Sequence, residues 1–248
     1  MANRKRLFFD LEVSPNIGFF WQSGHQISVG YDSIIKERAI ICICYKWEGK
    51  DKVYHLKWDK NQSDKKLVQD FAKIANTADE LVGHNGDRFD LKWFKTRALI
   101  HGVEVTPYIT TFDTLKLAKS HFKFNSNRLD YISKLLLGVG KEESGYDLWK
   151  DICLKNSRTA MDKMIKYCKV DVIRLEQVFE KFRPYAKPKT NYSGIKSGQA
   201  CPECSSERLV INKQSRLPSG NLKVYFKCNN CSTYHFKTIV QKKATKIK

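Results

Sequence analysis

Asp10 and Glu12 close the run Leu7-Phe8-Phe9-Asp10-Leu11-Glu12, Asp90 closes His84-Asn85-Gly86-Asp87-Arg88-Phe89-Asp90, and Asp171 follows Tyr167 by four residues in Tyr167-Cys168-Lys169-Val170-Asp171. Acids in these settings point to phosphodiester hydrolysis by paired divalent ions. Leu7-Phe8-Phe9 reads as the run-in of a buried strand, and side chains two apart on a strand share a face, so Asp10 and Glu12 can reach one ion. Residues 160–175 contain no Gly or Pro and carry apolar side chains at helical spacing. Tyr167 and Asp171, four apart there, point into one pocket. Asp90 opens another helical stretch, 89–100, after a short strand at 80–84. Clustered carboxylates repel one another unless cations lie between them, and their hard oxygens suit Mg²⁺ or Mn²⁺. Two such ions about 3.5–4 Å apart can activate a water and stabilise the leaving oxygen of an in-line displacement at phosphorus. An unpaired acid is costly to bury at the end of an apolar strand, which argues against four unrelated surface charges.

The order Asp-x-Glu, Asn-x-x-x-Phe-Asp, Tyr-x-x-x-Asp resembles the DEDD superfamily of 3′–5′ exonucleases in its tyrosine-containing branch. Within it, Phe9 to Glu12 and Asn85 to Asp90 are most similar to family-B DNA polymerase proofreading domains and to stand-alone phage and bacterial exonucleases. The resemblance spans roughly residues 5–182. It implies that Asp10, Glu12, Asp90 and Asp171 bind two Mg²⁺ or Mn²⁺ ions and that Tyr167 orients the attacking water. It also implies that Asn85 and Phe89 lie near the substrate. The sister branch has a histidine five residues before the last aspartate, where this chain has Lys166. Asp87 is an extra acid expected to face solvent. Asp113, also similar to a residue of relatives, is expected to cap a helix rather than to bind metal.

Cys201-Pro202-Glu203-Cys204 and Cys228-Asn229-Asn230-Cys231 have the spacing of a four-thiolate zinc ribbon. Strand-like segments at 208–212 and 222–227, joined through Leu217-Pro218-Ser219-Gly220-Asn221, form a hairpin between them. So small a module has little core, and metal binding would supply much of its folding energy. A cytosolic setting disfavours the competing disulfides. Tyr225, Phe226 and Tyr234 are candidates to stack on bases, and Lys213, Arg216, Lys223 and Lys227 to hold phosphates; the alternative is a structural or protein-docking knob. With four thiolates present, His235 is expected to pack rather than ligate. Cys42, Cys44, Cys153 and Cys168 lack partners at ligand spacing and read as buried hydrophobes.

The 248 residues suffice for one sizeable domain and a small one. No apolar run approaches the roughly 18 residues that would cross a membrane. Residues 1–6 lead straight into the first strand, so the expected location is cytoplasmic, or the host cytoplasm for a viral gene. The net charge of +19 implies a polyanionic partner. Residues 183–248 carry 14 Lys and Arg against Glu203 and Glu207, a net +12, so the attraction is concentrated there and should weaken with salt.

The expected architecture is α/β: a mixed sheet flanked by helices over 1–182, RNase-H-like as the resemblance implies, a basic linker at 183–199, and a zinc ribbon with a basic tail at 200–248. Further strands are expected at 39–47, 53–58 and 108–113, a helix capped by Ser63 over 64–75, and a glycine-stopped helix over 127–138. Residues 15–36, rich in aromatics, could reach over the substrate or pack on the domain edge. The function expected is hydrolysis at 3′ ends of single-stranded or frayed DNA, with nucleic acid as partner and a polymerase or other replication or recombination protein as a candidate. The rivals are a 3′–5′ exoribonuclease, a structure-selective endonuclease, and a non-catalytic zinc-ribbon adaptor.

Overall fold

Alternation along Arg6–Val13 sets up the larger part of the molecule: Leu7, Phe9 and Leu11 face one way, Phe8, Asp10 and Glu12 the other. In the computed structural model, which describes residues 4–22, 24, 28–139, 145–187 and 200–240, this strand is β1. It is followed by β2 (Ile17–Gly18), β3 (Ile34–Lys36), β4 (Ile40–Trp47), β5 (Tyr54–Lys57), α1 (Lys65–Ala75), β6 (Glu80–Gly83), α2 (Asp90–His101) and β7 (Thr111–Asp113). Next come α3 (Thr114–His121), α4 (Leu129–Leu137), α5 (Asp147–Lys155) and α6 (Arg158–Phe182). The last elements are β8 (Leu209–Arg216), β9 (Leu222–Cys228) and β10 (Tyr234–Ile239).

The chain divides into two compact units, one of residues 5–119 and 123–178, the other of 1–4, 120–122 and 179–248. In the first, the sheet order is β5-β4-β1-β6-β7. β1 is central, antiparallel to β4 and parallel to β6, and β6 is parallel to β7, so the expected mixed sheet flanked by helices is what the chain forms. Leu7, Phe9 and Leu11 join Leu67 and Phe71 of α1 and Leu91 and Phe94 of α2 in one apolar cluster. The other face takes α6. The Cys44 thiol donates to the Ile165 carbonyl at 3.7 Å, and Lys46 pairs with Glu176. Arg6, fully buried, anchors the start of β1 through Glu80 (2.6 Å) and Glu48 (3.1 Å).

Helix α1 begins at Lys65 with Asp64 as its cap residue, one position later than expected, and the Ser63 hydroxyl accepts only a long 3.4 Å bond from the Lys65 amide. Asp64 makes no capping bond because its buried carboxylate is engaged elsewhere: it accepts from Arg97 Nε and Nη2 (both 2.7 Å), the Ile40 amide (2.8 Å) and His101 Nε2 (2.6 Å). Helix α4 ends at Gly138 in the left-handed conformation, as the glycine stop predicts. Helix α5 has no counterpart among the expected elements. Residues 15–36 include the β2–β3 ladder, and Phe19, Phe20, Trp21 and Tyr31 stand exposed rather than packing on the domain edge.

In the second unit β9 lies between β8 and β10. The hairpin tip falls at 217–221 as expected, while β8 runs on to Arg216 and β10 adds a third strand. The expected linker, 183–199, lies outside the described residues from 188 on, as does the basic tail from 241. Before it, Phe122 stacks on Phe182 at 5.1 Å and meets Tyr185 edge-on at 4.9 Å.

Burial alone would raise the Asp64 carboxyl, but its Arg97, Ile40 and His101 donors outweigh burial and hold it below its ordinary 3.8. A lowered carboxyl stabilises fully above the unfolded value and loses that contribution as pH falls through the folded one. Asp64→Asn, leaving the largely but not fully buried Arg97 without its charge partner, should cost about 3 kcal/mol at neutral pH. In thermal or urea melts that cost should shrink below about pH 4; a cost independent of pH would contradict this account.

Candidate active site

Asp10 and Glu12 lie at the end of β1, register-paired with Cys44 and Cys42 of β4. They share a face because they are two apart on a strand. That is the face on which α6 packs: the Cys168 thiol donates to the Asp10 carbonyl (3.4 Å) and to Asp10 Oδ2 (3.5 Å). Tyr167, next to Cys168 on α6, and Asp171, one turn further on, project beside one another, and the Tyr167 hydroxyl bonds the Asp171 carboxylate.

Asp90 enters from a third element. The 85–89 loop is folded tightly, with Asn85 at φ 66°, and a Cβ at Gly83 would lie 3.0 Å from the Gly86 Cα. Asp113 pins this loop by accepting from the amides of Asn85 (3.0 Å) and Asp87 (3.4 Å), while also accepting from Leu115 and Lys116 at the start of α3. It is thus the helix-capping acid expected of it, with a second task in the loop. Asp90, buried in the first turn of α2, accepts the Leu11 amide at 3.2 Å, which ties it to the strand between Asp10 and Glu12. Asp87 does not simply face solvent; it pairs with Lys116 at 2.5 Å.

The electrostatics register this convergence. Asp10 keeps some solvent access, yet its carboxyl is driven well above the ordinary range, first by desolvation and then by the charges of Asp90, Glu12 and Asp171. Burial pushes Asp90 up to about 7, against amide bonds that pull it down. The Tyr167 phenol is raised by burial, then by Asp171, Glu12 and Asp10, and so keeps its proton. Arg174 lies 3.7 Å from Asp171 as a countercharge. Among the described residues, the side chains gathered closely enough to share one ion as they stand are the four cysteines of the second unit, not these carboxylates.

Beside Asp171 opens a cleft of about 580 Å³ whose walls include Asn85, Lys119, Asn127, Arg128 and Asp130. His84 builds one wall: its Nε2–H donates to the Asn127 carbonyl (2.8 Å), and Nδ1 faces the Thr114 hydroxyl (2.9 Å). Burial lowers its pKa and keeps the ring neutral. Among the described residues, the buried Asn127 Oδ1 and Asp130 Oδ1 have no hydrogen-bond partner. Of the expected substrate neighbours, Asn85 lines this cleft, whereas Phe89 is exposed at the start of α2. Asn127 and Arg128 escape sequence reasoning, because nothing in their spacing ties them to Asp171.

In the second unit, Cys201, Cys204, Cys228 and Cys231 have all four sulfurs within 4.8 Å of one another. The Cys201–Cys231 and Cys204–Cys228 separations are both 3.7 Å. A tetrahedron of thiolates about 2.3 Å from zinc has edges of about 3.8 Å, whereas a disulfide needs about 2.05 Å. The knuckles repeat one geometry. The Ser205 amide donates to the Cys201 carbonyl and the Ser232 amide to that of Cys228, both at 2.9 Å, and both serines have positive φ. His235 packs flat on Phe226 at 5.4 Å and stands outside the sulfur cluster, as expected. Cys42, Cys44, Cys153 and Cys168 are buried free thiols.

Residues 35–183, more than half of the chain, match the family RNase_H_2 of the RNase_H superfamily, and the chain belongs to that superfamily. The match includes Asp90, Tyr167 and Asp171 and begins after Asp10 and Glu12. Among solved structures, the chain is similar to the family B DNA polymerase from the hyperthermophilic archaeon Pyrobaculum calidifontis, with a TM-score of 0.57 and 16% identity. That likeness is one of fold. It covers 74% of this chain and 25% of the polymerase, so the chain spans about a quarter of that protein's length. No curated protein matches the chain in sequence. No helix among the described residues is long and apolar enough to cross a membrane.

Carboxylates that raise one another's pKa destabilise the fold that holds them. Without added divalent ions, Asp10→Asn should therefore melt about 2–4 °C above the wild type, the shift of ~1 kcal/mol in a chain of this size. A clear drop in its melting temperature would show that the four acids do not repel as their placement implies.

Proposed function

We propose that the chain is a metal-dependent 3′–5′ exonuclease of the tyrosine-containing DEDD branch, acting on single-stranded or frayed DNA ends. One observation carries this reading: three elements deliver the acids to one place, with Asp10 and Glu12 on β1, Asp90 of α2 accepting the Leu11 amide between them, and Asp171 on α6, whose Cys168 donates to Asp10. Such crowding is relieved by cations, and an all-carboxylate donor set fits Mg²⁺ or Mn²⁺.

Asp10, Glu12, Asp90 and Asp171 would hold two such ions. When bound, the ions supply a nucleophilic water and charge neutralisation at the leaving 3′ oxygen. Tyr167, kept protonated by burial and by its acidic neighbours, serves as a hydrogen-bonding group that orients the water, not as a base. Asp171 fixes the phenol in place by accepting its hydrogen bond. Asn85, Asn127 and Arg128 line the cleft beside Asp171 and are suited to contact the terminal nucleotide, with Phe89 at the approach. Residues 1–182 form the exonuclease domain in this reading. Residues 183–199 link it to a ribbon, 200–248, whose four thiolates hold one structural Zn²⁺.

Membership of the RNase_H superfamily and the fold shared with a DNA polymerase support a nuclease acting on nucleic acid; the likeness to a polymerase favours DNA over RNA. The test is a time course with Mg²⁺ or Mn²⁺ on matched 5′-labelled single-stranded DNA and RNA, with Asp10→Ala as control. The expected result is a ladder shrinking from the DNA 3′ end, at least about 10³-fold slower in the mutant. A ladder on RNA alone would make the chain an exoribonuclease, internal cuts an endonuclease, and near wild-type turnover in Asp10→Ala would overturn the site.

A further inference from the structure

Strands β8, β9 and β10 contain no Asp or Glu. Their register places Lys213, Tyr225 and Phe236 in one row across the sheet, with Lys227 paired to Tyr234 on one side and Lys223 to Thr238 on the other. Residues 223, 225 and 227 alternate with 224, 226 and 228, so these side chains share one face of β9. The opposite face is the inner one: Val224, Cys228 and His235 are buried there, and Phe226 stacks on His235. Phe226 and Arg216, both expected to contact nucleic acid, therefore lie on the face away from Tyr225, since Arg216 pairs with Leu222 and Phe226 with His235.

On the outer face Phe236 is 54% exposed and Tyr234 40%. Tyr225 and Phe236 are neighbours with centroids 6.0 Å apart. Lys223 Nζ sits 3.8 Å from the Phe236 centroid and 5.1 Å from that of Tyr225, and Lys227 Nζ is 5.9 Å from the Tyr234 ring. Apolar ring faces bordered by lysines, with no acid in any strand, match a partner that offers flat bases and a negatively charged backbone. An apolar protein patch would have to desolvate these lysines without offering them a counter-charge, whereas a phosphate backbone supplies one beside each base.

We infer that the outer face of this sheet, centred on Tyr225 and Phe236, is a stacking platform for single-stranded nucleic acid, with Lys213, Lys223 and Lys227 holding its phosphates. This adds a second, non-cleaving contact to the nuclease reading and names its residues, including Phe236.

The experiment uses the full-length chain carrying Asp10→Ala, without added Mg²⁺ or Mn²⁺ so that the strand stays intact, and fluorescence anisotropy of a labelled oligo-dT over a range of salt. Bound zinc at one per chain certifies that each variant is folded. Tyr225→Ser with Phe236→Ser should weaken binding about tenfold or more with the salt slope unchanged, and Phe236→Trp should retain affinity. Lys223→Ser should flatten the slope by about 0.7, whereas Lys237→Ser, on the opposite face, should leave it unaltered. Undiminished binding by the zinc-loaded double variant, or equal effects of Lys223→Ser and Lys237→Ser, would overturn the platform, as would a parent protein that does not bind. Cleavage by the wild type is read separately, so a missing 3′ ladder with intact binding sinks the nuclease reading and not this one.

Discussion

Mutual repulsion among four acids is the constraint around which the larger unit is organised. β1 can present Asp10 and Glu12 on one face only because Leu7, Phe9 and Leu11 secure the other against α1 and α2. The central place of β1, held by β4 and β6 along both edges and by buried Arg6 at its start, resists the displacement that would let the acids separate. Asp90 is fixed by the Leu11 amide and by a loop that Asp113 pins. Tyr167 and Asp171 ride on α6, which the Lys46–Glu176 pair and the Cys168 contact to Asp10 hold to the same face. Each anchor opposes the tendency of like charges to spread, and each leaves the carboxylates available to cations.

The smaller unit solves a different problem. Its buried cluster is made of Cys201, Cys228 and Cys231, with Cys204 and Leu209 packed against it, so sulfur occupies the place that aliphatic side chains fill elsewhere. A sheet with so little apolar interior cannot offset its chain entropy by burial alone; in the reading proposed above, a metal–thiolate bond supplies the compensation. Arg4 and Glu203, both nearly buried and 3.1 Å apart, add a charged contact within the same unit.

Much of this was legible because it rests on short-range periodicity. The alternation in β1, the Tyr167–Asp171 spacing and the two C-x-x-C pairs each dictate geometry within a few residues. What the sequence hid depends on register and on long-range contact. Tyr225 and Phe226 cannot share a face of one strand, a parity that was readable. Lys213 joins Tyr225 only because the β8 register shifts between Ile211 and Lys213, which no local pattern announces. Tyr234-His235-Phe236-Lys237-Thr238-Ile239 alternates well enough to have signalled β10. The cleft wall of His84, Asn127 and Arg128 unites residues some forty positions apart through one ring-to-carbonyl bond, and nothing local foretells it.

The central claim is that the four acids are crowded because they hold a pair of divalent ions. Counting Mn²⁺ bound to the zinc-loaded protein, by paramagnetic resonance during titration, addresses it without any substrate. Two Mn²⁺ per chain with the magnetic coupling of neighbouring ions, falling to one or none in Asp10→Asn and in Asp171→Asn, is the result predicted. Binding of no Mn²⁺ at millimolar concentration, or binding untouched by both substitutions, would contradict it.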